Sequence, residues 1–323
     1  MLQELVNPYY LQVLTFILIN IILGLGMYVT LSTGQLSLGH AGFMAIGAYA
    51  SGILTYTYEM PLLVGIIAGT LLAGIFGLII GIPTLRLQGV YLAIATLGFG
   101  EVMRVIFVNW DSVTMGAVGL SGIPNLGREL TDSLRNMGIE ASQFGLRSNA
   151  LGSLLVFLLL LVIAIVIFIF FRRQNHSRVG RAFAAIKMDE RAAEAMGINI
   201  TYYKVLAFVQ GAMAAGFAGA IYAHVTGYIS PSDFDYHRAI DILIYAVFGG
   251  SEVVWGPVFG ATFLTAVPEF LRGIAEYRYM IYGILLVVMM AFRPQGIIDH
   301  RVLYRFKRNR QDKKAAKSKK EAS

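Results

Sequence analysis

Three side chains able to hydrogen-bond or titrate, Gln35, Ser37 and His40, fall within six residues in the stretch STGQLSLGHAGFMAIGAYASG at 32–52. Gly34, Gly39, Gly42, Gly47 and Gly52 surround them, in a segment otherwise apolar enough for a membrane span. Such a composition predicts a broken helix, whose free N–H and C=O ends act as fixed dipoles toward a polar solute. Non-helical backbone at membrane depth survives only where protein or a water-filled cavity surrounds it. His40 then either touches a solute or braces the turn, and the backbone ends around Gly34 to Gly42 matter more than the imidazole. A second Gly-broken stretch, FGGSEVVWGPVFGA at 248–261 with Gly249 and Gly250, is its counterpart later in the chain. Glu101 and Arg104, at i and i+3, can pair with each other on one helix face. They form either the wall of a polar path or an ion pair securing a helix end. Asp241, following SPSDFDYHR, reads as a helix cap or an interfacial residue.

Other chemistries are excluded by residue type and spacing. The chain has no cysteine, which removes disulfides, thiolate metal sites and thiol nucleophiles. His40, His224 and His237 have no metal-ligand spacing, and no Ser/His/Asp set is arranged for nucleophilic attack. GxxxxGK[ST] does not occur. We therefore expect no cofactor, no metal and no enzyme.

The elements that must hold these residues follow from composition. Of 323 residues, 57% are hydrophobic and 14% charged, with a mean hydropathy of +0.66; soluble domains carry about 25% charged residues. Apolar windows fall at 9–31, 35–57, 62–82, 89–109, 151–171, 205–227, 237–250, 254–272 and 279–293. Each approaches the length needed to cross about 30 Å of hydrocarbon. The fold expected is an all-α, polytopic transmembrane helix bundle of about 8–10 spans, at least one broken or re-entrant.

Charge placement orients the bundle. Arg172 and Arg173 end the window at 151–171, and Arg178, Arg181, Lys187 and Arg191 follow, which puts 172–204 on the cytoplasmic side. The net charge of +7 is concentrated in a Lys/Arg-rich tail at 299–323, suited to anionic lipid head groups and not to nucleic acid. Four windows separate these two inside segments, so both lie on one side. The stretch 110–150 mixes both signs of charge and suits the outer face. With nine crossings the N-terminus lies outside, although the first Lys or Arg is Arg86 and nothing before it fixes a side. Gly65, Gly69, Ala73, Gly77 and Gly81 recur every four residues in the third window, and Gly211, Ala215 and Gly219 in the sixth. These ridges admit close helix–helix approach.

Within 172–204, the stretch from Arg181 to Met196 is amphipathic and helix-prone, with Gly197 as a stop. By its physics this helix either docks into a partner or lies on lipid. DERAAEAMGIN, at 189–199, resembles the coupling segment of ABC-importer permeases. The whole chain is similar to the permease subunits of branched-chain amino-acid ABC importers. GQLSLGHAGFMAIGAYASG (34–52), RLQGVYLAIATLGFGEVMR (86–104), SRVGRAFAAIKMDERAAEAMGIN (177–199), GYISPSDFDYHRAIDILIYAVFGG (227–250), WGPVFGA (255–261) and RPQGI (293–297) carry the likeness. TMGAVGLSGIP at 114–124 matches the family's Gly-rich outer turn only loosely, and the Lys-rich tail departs from it.

The resemblance implies a permease domain over 1–298 in a bacterial inner membrane, with a cytoplasmic C-terminus and a basic tail at 299–323. It implies a second permease subunit, two cytoplasmic ATPase subunits that hydrolyse ATP, and an extracytoplasmic binding protein delivering Leu, Ile or Val. Gly34, Gln35, Ser37, Gly39, His40, Gly42, Glu101, Gly249 and Gly250 are then the candidate pathway residues. Arg178, Gly180, Arg181, Asp189, Glu190, Ala192, Ala193, Glu194 and Gly197 are the candidate ATPase-coupling residues. Urea and short-chain amide importers use similar permeases. An ion-coupled transporter acting alone, with Glu101 or Asp241 as coupling site, is the rival of a different class, but it would leave the inside helix without a task.

Overall fold

Backbone crossing hydrocarbon must close its own hydrogen bonds, and the apolar runs do so as helices. The computed structural model describes residues 7–84, 86–137 and 147–270, with Met280, Gly283, Ile284, Val287 and Ile297 beyond them. Most of the window at 279–293 and the whole basic tail lie outside the described residues.

Helix α1 (Pro8–Leu31) begins at the Asn7 cap and is followed by an extended stretch at 35–38. Then come α2 (His40–Tyr56), α3 (Leu62–Thr84), α4 (Val90–Asn109) and the single turn α5 (Asp111–Thr114). A loop containing β1 (Leu120–Ser121) leads to α6 (Leu126–Asn136). After α7 (Ser148–Asn175) come two short helices, α8 (Arg178–Met188) and α9 (Glu190–Ala195), and then α10 (Ile200–Thr226). β2 (Tyr228–Ile229) and a 3-10 turn at Pro231–Phe234 precede α11 (Tyr236–Gly249) and α12 (Trp255–Phe270). β1 and β2 pair antiparallel, Leu120 opposite Ile229, and tie the loop before α6 to the segment after α10.

Among the described residues, α1, α3, α4, α7 and α10 are long and apolar enough to cross a membrane. The windows at 35–57 and 237–250 become shorter helices of 17 and 14 residues, and the described part of the window at 254–272 is helical over Trp255–Phe270. At 1.5 Å per residue α11 reaches only about 21 Å. The reason is local: residues 35–38 leave the helix before α2, and Gly250 breaks the run between α11 and α12, with φ of +125°.

α10 occupies the centre, packed on α1, α2 and α3. The small-residue ridge of α3 faces these helices: Gly65 meets Ser51 and Thr55, Gly69 meets Gly47, and Gly77 meets Ala212. A Cβ at Gly69 would lie 2.5 Å from the Gly47 carbonyl oxygen, so the close approach depends on the glycine. The opposite face of α3, with Leu63, Ile67, Leu71, Ile75, Leu78 and Ile82, is exposed. That division suits a lipid-facing helix, since packing rather than hydrophobicity selects the inner face.

Two ends are distinguishable. One carries Arg172, Arg173, α8, α9 and the start of α10, and Gly34, just past α1, sits there against Lys187. The other carries the start of α1, the loop with β1, α6, and the β2 segment. α11 starts partway into the bundle, where Asp235 and Tyr236 lie beside Gly100 and Glu101, and α12 runs to this second end, where the Tyr9 hydroxyl donates to the Glu269 carboxylate. The two helices pack on each other as a hairpin. Its tip lies toward the Arg-rich end, where Trp255 meets Phe168 at 4.5 Å and the Ile297 N–H donates to the Phe248 carbonyl at 3.1 Å.

Candidate functional site

The broken element before α2 is folded inward. Thr33 donates from Oγ1 to Gln35 Oε1 at 3.0 Å, the Leu38 N–H to Thr96 Oγ1 at 2.9 Å, and the Gly39 N–H to Ser37 Oγ. Gln35, Ser37 and His40 are almost wholly enclosed. His40, 1% exposed, lies between Gly26 of α1 and Gly211 of α10, its Nε2 3.1 Å from where a Gly211 Cβ would stand. Gly39 sits on Thr96, and Gly42 on Gly100. Since Thr96 and Gly100 lie in the middle of α4, α2 starts partway into the bundle, as expected of a discontinuous helix.

Glu101 and Arg104 do pair, at 2.9 Å from Nε and 2.5 Å from Nη2 to the same carboxylate oxygen. The pair is partly exposed on an otherwise apolar helix face. Beside it, Leu38 and Ala41 of the α2 foot, Gly100 and Glu101 of α4, and Asp235 and Tyr236 of α11 meet around a narrow crevice. The structure thus brings the broken element, the membrane ion pair and the entrance of the hairpin to one place. Gly249 and Gly250 lie apart from it, in the hairpin tip against Gly256. Both broken elements border α1, where Gly26 faces α10 and Gly24 faces Tyr245 and Pro257.

Polar links hold the helices midway along α1 and at the end away from Arg172 and Arg173. Arg238 Nη2 donates to Asn20 Oδ1 at 2.9 Å, and Asn20 Nδ2 donates to Thr265 Oγ1 at 2.9 Å, joining α11, α1 and α12. His224 bridges Ser51 at 2.8 Å and the Pro124 carbonyl at 2.9 Å. A polar cavity of about 710 Å³ opens between α1, α6 and α7, lined by Gln12, Asn125, Arg128, Thr131, Asp132 and Asn149. Sequence reasoning missed the Asn20 and His224 links. A lone amide in an apolar helix was the available signal for Asn20; His224 gave none, because its partners are remote in the chain.

At the Arg-rich end, α8 is capped by Ser177 and α9 by Asp189, whose carboxylate accepts from the Arg191 and Ala192 N–H groups. Gly180 and Ala193 are packed inward, the former against Asn175. Arg178, Arg181, Ala192 and Glu194 belong to the same two short helices. Gly197 turns the chain toward the Asn199 cap of α10 with φ of +80° and no neighbour near its α-carbon face. Glu190 bonds to Lys204 of α10. Met188 and Met196, at the ends of α8 and α9, are 87% and 83% exposed.

These features define a polytopic, all-helical membrane protein with broken helices in its interior and a pair of short helices projecting at one end. The chain belongs to the family described as branched-chain amino acid transport system / permease component, whose pattern matches residues 9–290. It is similar to the high-affinity branched-chain amino acid transport system permease protein LivM of Salmonella typhimurium: 34% identity over 294 residues, 89% of this chain and 69% of that protein. LivH of Escherichia coli, described as a permease of the same kind of system, is 26% identical over 285 residues, 82% of this chain and 86% of that protein. The fructose import permease protein FrcC of Rhizobium meliloti is 22% identical over 279 residues, covering 84% and 73%. No solved structure matches the chain.

Proposed function

We propose that this chain is one of two permease subunits in an ATP-driven importer of the inner membrane, moving branched-chain aliphatic amino acids. The observation that carries the reading is the likeness to LivM over 89% of the chain, with a family pattern at 9–290 that spans both broken elements and the projecting helices. In this reading the Arg-rich end is cytoplasmic, and two ATPase subunits dock there on the segment from Arg178 to Gly197. Exposed Met188 and Met196 offer apolar contacts for that docking. A binding protein presents substrate at the opposite end. The polar cavity there lies on the route of entry.

The path runs along the crevice between α2, α4 and α11. Glu101 lines it directly, whereas Gln35, Ser37 and His40 act from behind by fixing the α2 foot. The chemistry fits a zwitterion with an aliphatic side chain: helix ends and the Glu101–Arg104 pair meet the ammonium and carboxylate, and apolar walls receive the rest. The likeness to a fructose permease shows that related scaffolds serve chemically different solutes, so substrate choice needs a direct test. Cells with and without this chain are compared for uptake of radiolabelled leucine, valine and urea. Loss of leucine and valine uptake alone is expected on deletion; loss of urea uptake alone would reassign the substrate.

A further inference from the structure

Lys204 stands in the second turn of α10, yet it is 5% exposed. An ammonium that is withdrawn from water requires an anionic partner. That partner is Glu190, the first residue of α9, with Nζ and Oε1 2.5 Å apart; the glutamate side chain remains about one-third exposed. α9 has six residues and is too short to hold its place by helix formation alone. Its other attachments are the Asp189 cap, which bonds within the segment, and the inward methyl of Ala193. The Glu190–Lys204 pair is thus the ionic link from α9 to the transmembrane core.

We infer that this pair is the pin through which the projecting segment moves α10, and that Lys204 is a positioning residue for coupled transport. The inference rests on the importer reading above. α10 is built to carry such a movement along its length. Above Lys204 it passes His40 at Gly211, interlocks with Gly47 at Gly216 and with Met44 at Gly219, and ends with His224 bonded to Ser51 and Pro124. A Cβ at Gly219 would overlap the Met44 backbone of α2 and one at Gly216 would overlap Ala73 of α3, so α10 lies in direct backbone contact with α2 and a shift of one displaces the other. Displacement at its foot is passed to α2, whose own foot borders the crevice with Glu101 and Asp235. The enclosure of Lys204 also separates this role from docking: a side chain this buried cannot touch an ATPase subunit, so any effect of changing it is internal.

The test uses the complete importer, with this chain, the second permease, the ATPases and the binding protein, reconstituted in proteoliposomes. ATP hydrolysed per leucine imported is measured for wild type, Lys204→Met, Glu190→Gln and the exchanged pair Lys204→Glu with Glu190→Lys. This ratio does not depend on how much complex is recovered, and co-purification of the subunits reports assembly. Each single change should raise the ratio by about tenfold with assembly retained, and the exchange should return it toward wild type. If Lys204→Met fails to assemble, Glu190→Gln, on the partly exposed side, is judged together with the exchanged pair, because loss of a docking contact at Glu190 would not be restored by the exchange. A wild-type ratio in the single variants overturns the pin, as does an exchanged pair as uncoupled as either single change. A wild-type complex that imports no leucine but imports another solute overturns the substrate reading instead, and the same ratio measured with that solute judges the pin.

Discussion

A histidine sealed from water must have its ring nitrogens answered by protein, and His224, 0% exposed, meets that demand fully. The Pro124 carbonyl can only accept, so Nδ1 carries a proton, and in the neutral ring Nε2 accepts from the Ser51 hydroxyl. One neutral ring thereby joins α2, α10 and the loop before α6. His224→Ala leaves a buried hydroxyl and a carbonyl unpaired, which costs about 1–3 kcal/mol for each such group. The purified protein in detergent should melt at a clearly lower temperature; an unchanged midpoint would mean the bridge contributes nothing. This link was invisible in the sequence, because its partners lie 173 and 100 positions away. The Glu101–Arg104 pair was legible, since three residues on one helix turn suffice to bring it together. His40 was half legible: its glycine-rich surroundings announced a broken backbone, while its position between Gly26 and Gly211 depended on two helices far along the chain.

At the scale of elements, hydropathy located each long helix among the described residues, and α7 carries Arg172 and Arg173 in its last turn, before Asn175 ends it. What it could not supply was depth. A window average counts apolar residues whether or not the backbone stays helical, so 35–57 and 237–250 read as spans although α2 and α11 are short. The foot of α2 is tied to α4 by the bond from Leu38 N–H to Thr96 Oγ1, a partner 58 positions away. In the projecting segment, the Gly197 stop was readable, and its φ of +80° gives the reason, since a left-handed residue ends α9 and aims the chain into α10. A Cβ added at Gly197 would meet nothing within 4 Å, so the main cost of Gly197→Leu is the left-handed backbone strain of about 1–2 kcal/mol. We expect the variant to insert and assemble normally while substrate-stimulated ATP hydrolysis no longer drives uptake. Hydrolysis and uptake both at wild-type levels would remove Gly197 from the coupling path.

The whole molecule is organised around α10, which touches the projecting helices at one end and the His224 bridge at the other. α3 and α7 give it an apolar exterior, with Leu63, Ile67, Val162 and Ile165 exposed. The partly exposed Glu101–Arg104 pair and the crevice at Asp235 mark a different, polar face. Ionisable groups at membrane depth are tolerated where water or another subunit covers them, which is why the proposed function places the path at this face. The all-helical class was legible because composition and hydropathy report on the solvent surrounding the chain. The break at Gly250 was legible from the glycines at 248–261, but the central position of α10 was not, because it arises from contacts among glycines that look alike in sequence. The most direct measurement is leucine uptake into proteoliposomes containing the complete importer, with ATP inside or outside the vesicle and with the ATPase subunits present or omitted. The account predicts uptake only when binding protein, ATPase subunits and ATP on the ATPase side are all present. Uptake by the permease subunits alone, driven by an ion gradient without ATP, would contradict it.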